Sequence, residues 1–376
     1  MTEPAYVDPH TGKTYALTQP RWRSDDGNPL MTTELSGIGR GDIDTSIRSL
    51  WRYSRALPLS VPDPITMGEG CTPLIERRWQ GARALMKLEW FAPTGSFKDR
   101  GASVMLSVLR QQGVRHVLED SSGNGGAAVA AYAVAGGLKV KILVPAYTQP
   151  AKIVQMRAVG AEVELVPGTR QDCADEAERQ AARIFYASHN WQALFLQGTK
   201  TLAYELWEDL GFEAPDNVIA PMGAGSNILG CWIGFGELLR RGEIRKMPRI
   251  FGSQPANCAP IAASFKGGVD TPVECKVEPT VAEGTAIAKP IRLREVLGAL
   301  RGSGGGAVAV PEDEIVTALK GLAAMGLYAE PTSAQTAAAL SRLVAAGTIK
   351  PEERTVLVLT GSGLKATQKI GEILGA

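Results

Sequence analysis

The chain has 376 residues and a formal net charge of +1, with 40 basic against 39 acidic side chains, so it offers no field suited to nucleic acid or an anionic membrane. It contains no run of about 18 apolar residues, so no membrane span is expected. Met1-Thr2-Glu3-Pro4 lacks the basic start and apolar core of a secretory signal. The five cysteines, Cys71, Cys173, Cys231, Cys258 and Cys275, are odd in number and include no Cys-x-x-Cys pair. That argues against a disulfide framework or a zinc ribbon and makes the cytoplasm the expected compartment.

Residues 1–45 are polar and loop-rich, and Asp25-Asp26-Gly27-Asn28-Pro29 is strong turn chemistry. We read this segment as a cap or subunit-contact arm. Residues 45–57 have helical spacing through Ile47, Leu50 and Trp51. Gly68-Glu69-Gly70-Cys71-Thr72-Pro73-Leu74 then leads into a strand at 84–88. Lys98 opens a helix that runs to 111, with Ser96 as its expected N-cap.

From Val114 strands and helices alternate. Strands are expected at 114–118, 140–144 and 162–166, and helices at 126–135, 151–159 and 174–182. A second series has strands at 217–220, 249–253, 308–310 and 355–359. Its helices are expected at 199–209, 230–240, 312–324 and 332–346, with a glycine loop at 302–306. Such alternation predicts parallel βαβ units and an α/β fold. The expected division is an arm at 1–45, a small α/β domain at 101–194, and a large one from 46–100 with 195–376. Each domain should be an open, mostly parallel twisted sheet flanked by helices. The active site is expected between the domains, at the carboxyl ends of strands.

Four stretches carry chemistry. In Pro93-Thr94-Gly95-Ser96-Phe97-Lys98-Asp99-Arg100-Gly101 a single lysine sits where turn residues give way to a helix. A desolvated lysine amine is a nucleophile toward aldehydes, although a Lys-Asp-Arg triplet at a helix start is by itself more ordinarily a solvated face. Ser121-Ser122-Gly123-Asn124-Gly125-Gly126 precedes a helix and reads alone as an ordinary cap. Gly223-Ala224-Gly225-Ser226-Asn227 joins an apolar strand to a helix, a junction where backbone N–H groups can hold a phosphate. Read alone it is a tight turn. Thr360-Gly361-Ser362-Gly363-Leu364-Lys365 closes the last apolar strand. No nucleotide-triphosphate loop, metal-ligand spacing or hydrolase elbow is present. His116 and His189 read as structural histidines.

Taken together and in this order, the four stretches resemble fold type II pyridoxal-phosphate (PLP) enzymes, the threonine synthase and threonine dehydratase group. The resemblance covers the chain from about Met67 to the end. It implies that Lys98 joins the PLP aldehyde as a Schiff base and that Gly223, Ala224, Gly225, Ser226 and Asn227 cup the phosphate. It implies that Asn124 bonds the ring hydroxyl and that Ser121, Ser122, Asn124 and Gly125 hold the substrate carboxylate. Thr360, with Ser362 as second choice, would set a neutral hydroxyl beside the pyridine nitrogen. The implied function is a lyase or synthase performing β- or γ-elimination or replacement on an amino acid. Threonine synthase proper, threonine/serine ammonia-lyase and a non-catalytic binding protein are the alternatives. The implied assembly is a homodimer without a metal. Residues 1–45 look like the family's cysteine-bearing ribbon with its cysteines gone.

The chain also departs from the threonine synthase pattern. Phe195 stands where an arginine is expected and Gly125 where a threonine is, and neither can pair with a phosphate dianion. Lys200 is a candidate substitute. Ser121-Ser122-Gly123-Asn124 and Ala282-Glu283-Gly284-Thr285-Ala286 look more like the dehydratases. Trp191, Leu194 and Phe195 fit either an apolar substrate side chain or core packing.

Overall fold

The structure, a computed structural model, describes residues 3–148, 150–275 and 277–375. The chain groups into two compact units. The first comprises the N-terminal part to Gly70, Ala92–Thr94 and Lys98–Thr201; the second comprises Cys71–Phe91, Gly95–Phe97 and the chain from Leu202 onward.

The first unit has two sheets. In the N-terminal sheet Ala5–Val7 lies between Thr14–Ala16 and Met31–Thr32, antiparallel to both. Fully buried Asp8 stitches the turns together. Its carboxylate accepts from the N–H groups of His10 and Thr11 at 2.8 and 3.3 Å and from Asn28 Nδ2 at 3.1 Å. The other sheet is parallel, in the order Glu162–Val166, Lys139–Pro145, His116–Glu119, Phe185–Tyr186. Parallel neighbours need long crossovers, and the helices Asn124–Ala135, Pro150–Ala158 and Arg170–Gln180 supply them. The small side chains Ala128, Val129, Ala130 and Ala133 share one core with Val117, Ile142 and Val144.

The second unit has one six-stranded sheet, in the order Gly306–Val310, Arg249–Pro255, Asn217–Pro221, Thr355–Leu359, Ala82–Leu88, Leu74–Trp79. All pairs are parallel except the last, whose edge strand runs antiparallel. Asn217–Pro221 and Thr355–Leu359 are buried throughout, as unbroken apolar runs require of strands covered on both faces. Helix Pro331–Ala345 contributes Ala334, Ala337 and Leu340 to the core beside Ile219, Leu357 and Leu359. Lys87 is fully buried with Nζ 2.6 Å from both Glu205 and Asp209.

Both series of alternating elements are present, with local differences. Residues 45–57 form only 3-10 turns at Leu50–Ala56, interrupted at Tyr53, which lies outside helical φ/ψ, and the turns stop at Leu57 before Pro58. The helix expected at 199–209 is Thr201–Asp209, preceded by a separate helix Ala193–Thr199. Helices Pro260–Lys266 and Leu293–Gly302 were not expected. Two helices begin earlier than propensity suggests: at Asn124, where Gly125 and Gly126 weaken the first turn, and at Ser226, where Ser226 and Asn227 are poor helix formers.

Candidate active site

In the first unit Lys98 begins helix Lys98–Gln111 and is half-buried. Ser96 is not its cap: the buried Ser96 Oγ has no hydrogen-bond partner among the described residues. Asp99 ties the helix start instead, accepting from the N–H of Thr94 at 2.7 Å and from the Thr94 hydroxyl. Lys98 Nζ lies 5.5 Å from the ring centroid of Phe195. That closeness follows from two glycines. A Cβ at Gly101 would come within 2.5 Å of the Phe195 ring, and one at Gly198 within 2.1 Å of the Arg100 carbonyl oxygen. The lysine helix and Ala193–Thr199 therefore meet backbone to backbone at Gly198, with the Phe195 ring seated on Gly101. Phe195 is fully buried, so packing is its first role.

Glu69, from the Gly-Glu-Gly loop, explains that motif. Its fully buried carboxylate accepts from Ser103 Oγ at 2.6 Å on the lysine helix, Tyr132 OH at 2.8 Å on helix Asn124–Ala135, and Trp51 Nε1 at 3.1 Å. One carboxyl side chain thus holds the helix that carries Lys98 to the helix that begins at Asn124.

Ser121, Ser122 and Asn124 are half-buried in and after the loop that follows strand His116–Glu119. Gly125 is buried, and a Cβ there would meet the His189 ring at 2.6 Å. His189 Nδ1 lies 3.1 Å from Glu119 Oε1, its N–H donates to Glu119 Oε2 at 3.0 Å, and its ring meets Phe195 edge-on at 5.7 Å. Burial, then the charge of Lys98, push the imidazole below its ordinary value despite the pull of Glu119. Burial opposes ionisation of Glu119, but contacts with His189 outweigh it and hold the carboxyl below its usual range. The adjacent Asp120 is occupied by Arg170 and Tyr186, both at 2.7 Å. Lys200 is fully buried and donates to the Ala56 carbonyl at 2.6 Å, a position that serves the packing of the first unit.

In the second unit Gly223–Asn227 joins strand Asn217–Pro221 to helix Ser226–Arg241. Gly225 has φ +88°, and a Cβ there would stand 2.3 Å from Val296 Cγ2. A Cβ at Gly223 would lie 3.2 Å from Thr285 Cα, so the Ala282–Ala286 turn singled out in the sequence packs against this loop. Ala224 is half-buried and Ser226 is buried in the first helical turn. Asn227 is 2 % exposed, yet neither atom of its amide has a hydrogen-bond partner among the described residues. A buried amide left unmatched is costly. Beside backbone that glycine keeps bare at a helix start, it fits a phosphate acceptor supplied by a bound group.

Thr360 is fully buried at the end of the strand Thr355–Leu359. Its Oγ1 donates to Glu330 Oε1 at 3.2 Å and lies 3.1 Å from Ser333 Oγ. Ser362 caps the following 3-10 turn, its Oγ accepting from Leu364 N–H at 3.2 Å. Sequence reasoning missed Glu330 and Ser333, and it dismissed His189. The signal for His189 lay in Gly125, a lost side chain whose space the imidazole takes.

Comparison with known proteins agrees with this chemistry. The family model described as pyridoxal-phosphate dependent enzyme matches residues 65–361. Threonine synthase of Methanocaldococcus jannaschii is 35% identical over 325 residues, covering 84% of this chain and 80% of that protein. Threonine synthase of Mycobacterium tuberculosis is 33% identical over 310 residues, covering 80% and 84%. Among solved structures, a T.th. threonine deaminase matches with a TM-score of 0.65 at 26% identity, over 77% of this chain and 92% of that one. Tomato (Solanum lycopersicum) threonine deaminase isoform 2 has a TM-score of 0.67 at 24% identity, over 81% and 88%, and supports the fold alone. The chain belongs to the family of pyridoxal-phosphate-dependent enzymes, with the fold type II architecture, and pyridoxal 5′-phosphate is its cofactor.

Proposed function

We propose that the protein is a threonine synthase-like PLP lyase that eliminates or replaces a β- or γ-substituent of an amino acid. Lys98 is the amine that would hold the cofactor's aldehyde. Gly223, Ala224, Gly225, Ser226 and Asn227 would hold its phosphate, Asn124 its ring hydroxyl, and Thr360 would face its ring nitrogen. When bound, the cofactor supplies an electron-withdrawing ring conjugated to the substrate's α-carbon. Lys98 Nζ moves the proton to and from that carbon. Ser121, Ser122 and the N–H groups of Asn124 and Gly125 orient the substrate carboxylate at a helix start, where the dipole favours an anion.

The observation that carries the reaction type is Thr360. A neutral hydroxyl cannot hold positive charge on the ring as a carboxylate does. The ring is then a weaker electron sink, which disfavours transamination and suits reactions in which a leaving group takes the electrons. A panel of L-threonine, L-serine, L-homoserine and O-phospho-L-homoserine, assayed for ammonia, keto acid and inorganic phosphate, tests the reading. Ammonia with keto acid from a hydroxy amino acid, and no phosphate release, is the expected result. Turnover confined to transamination would reject it.

A second reading is threonine synthase proper. It is favoured by relatives of that name at 33–35% identity over four fifths of the chain. Threonine and phosphate formed from O-phospho-L-homoserine would decide for it. A cytoplasmic homodimer is part of our proposal, and sedimentation of the holoenzyme checks the dimer.

A further inference from the structure

This inference rests on the PLP reading above and deepens it. We propose that the buried Glu119–His189 pair presents His189 Nε2 as a hydrogen-bond acceptor for a hydroxyl on the substrate side chain. His189 is thereby a specificity-determining residue that selects a hydroxy amino acid over the same chain without its hydroxyl.

Glu119 is fully buried and its carboxylate collects three donors: His189 Nδ1, the His189 N–H and, at 3.1 Å, the Asp120 N–H. An ionised carboxylate only accepts. Nδ1 therefore carries the imidazole proton, and in the neutral ring Nε2 is left with a lone pair. His189 is 7 % exposed, and Nε2 has no hydrogen-bond partner among the described residues. A lone-pair-bearing nitrogen so placed can take a donor that a bound substrate brings.

Its place says which donor. The ring stands over Gly125, in the loop proposed to hold the substrate carboxylate, and would collide with any side chain there. Its edge meets Phe195, above which Lys98 Nζ lies. The imidazole thus stands within the first unit, against the carboxylate loop and against Phe195, over whose ring the amine lies. The charged groups around it are Glu119 at Nδ1, Asp120 and Lys98. The Asp120 carboxylate accepts from Arg170 and Tyr186. A phosphate dianion brings no proton to Nε2, and a methyl group brings none either; a hydroxyl does.

The test uses cofactor-loaded enzyme and spectral titration with matched pairs: L-threonine against L-2-aminobutyrate, L-serine against L-alanine, L-homoserine against L-2-aminobutyrate. The best hydroxy amino acid should bind about tenfold more tightly than its partner, the worth of one neutral hydrogen bond. H189F should bring that ratio to about one while keeping its cofactor content, and H189Q, which retains an acceptor oxygen, should restore part of it. G125A, which displaces the ring by a different route, should also collapse the ratio. In the wild type alone the preference should fade as pH drops and Nε2 takes up a proton. A wild-type ratio near one for all three pairs overturns the proposal, as does a ratio unchanged in H189F or, should H189F not fold, in G125A. Failure of the underlying PLP reading is visible earlier, as wild-type protein that takes up no cofactor.

Discussion

Replacing Gly225 by alanine asks whether the loop before helix Ser226–Arg241 depends on bare backbone. Two costs add. The position has φ +88°, and a left-handed conformation costs a non-glycine residue about 1–2 kcal/mol. The new Cβ would also stand 2.3 Å from Val296 Cγ2 on a fully buried side chain, and overpacking of this sort costs about 1–3 kcal/mol. G225A should therefore lose about 2–5 kcal/mol, measured by urea unfolding of cofactor-free protein. Its PLP affinity should fall as well, because the N–H groups that would face the phosphate move. V296A removes the clashing methyl groups and leaves the dihedral cost. The cycle of G225A, V296A and the double variant should accordingly show a favourable coupling of about 1–3 kcal/mol. A G225A protein within about 0.5 kcal/mol of wild type, or additive losses in the double variant, would refute the close-packed loop.

Borohydride reduction of the holoenzyme followed by peptide mapping should place the cofactor on Lys98, and K98A should retain no reducible adduct; an adduct elsewhere rejects the site. E69A leaves Ser103, Tyr132 and Trp51 without their shared acceptor. It should lose about 2–5 kcal/mol of stability, because each buried donor left unsatisfied costs about 1–3 kcal/mol, and an unfolding midpoint equal to wild type would contradict that role. Binding of a hydroxy amino acid should show an acid limb from His189. Its imidazole is held below the ordinary value, so Nε2 accepts above that lowered pKa and loses the lone pair below it. Affinity must fall as pH falls, and a limb that persists in H189Q assigns it to another group.

The elements were legible where local pattern decides. Unbroken apolar runs marked Asn217–Pro221 and Thr355–Leu359, and alternation marked both parallel sheets. What escaped depended on partners remote in the chain. Ser96 looked like a cap until Asp99 was seen to accept from Thr94. Lys200 read as a candidate substitute for the missing phosphate ligands, and it is buried with its amine on the Ala56 carbonyl. Gly125 read as a missing phosphate ligand, whereas in space it is the room that His189 needs. Phe195 packs on Gly101 and meets His189, and no sequence window contains all three. Glu330 and Ser333 adjoin Thr360 from about thirty residues upstream, so a motif read at the strand end alone omits the polar cluster around it.

The N-terminal sheet has an implication for how this protein fails. Asp8 clasps the turns of this sheet with hydrogen bonds. Burial opposes its charge, but Asn28, the His10 N–H, Ser24 and Thr11 hold its carboxyl well below the usual range. That clasp is intact above the ordinary aspartate value and is lost as acidity reaches the depressed one. Strong acid should be the condition that unbuttons this sheet.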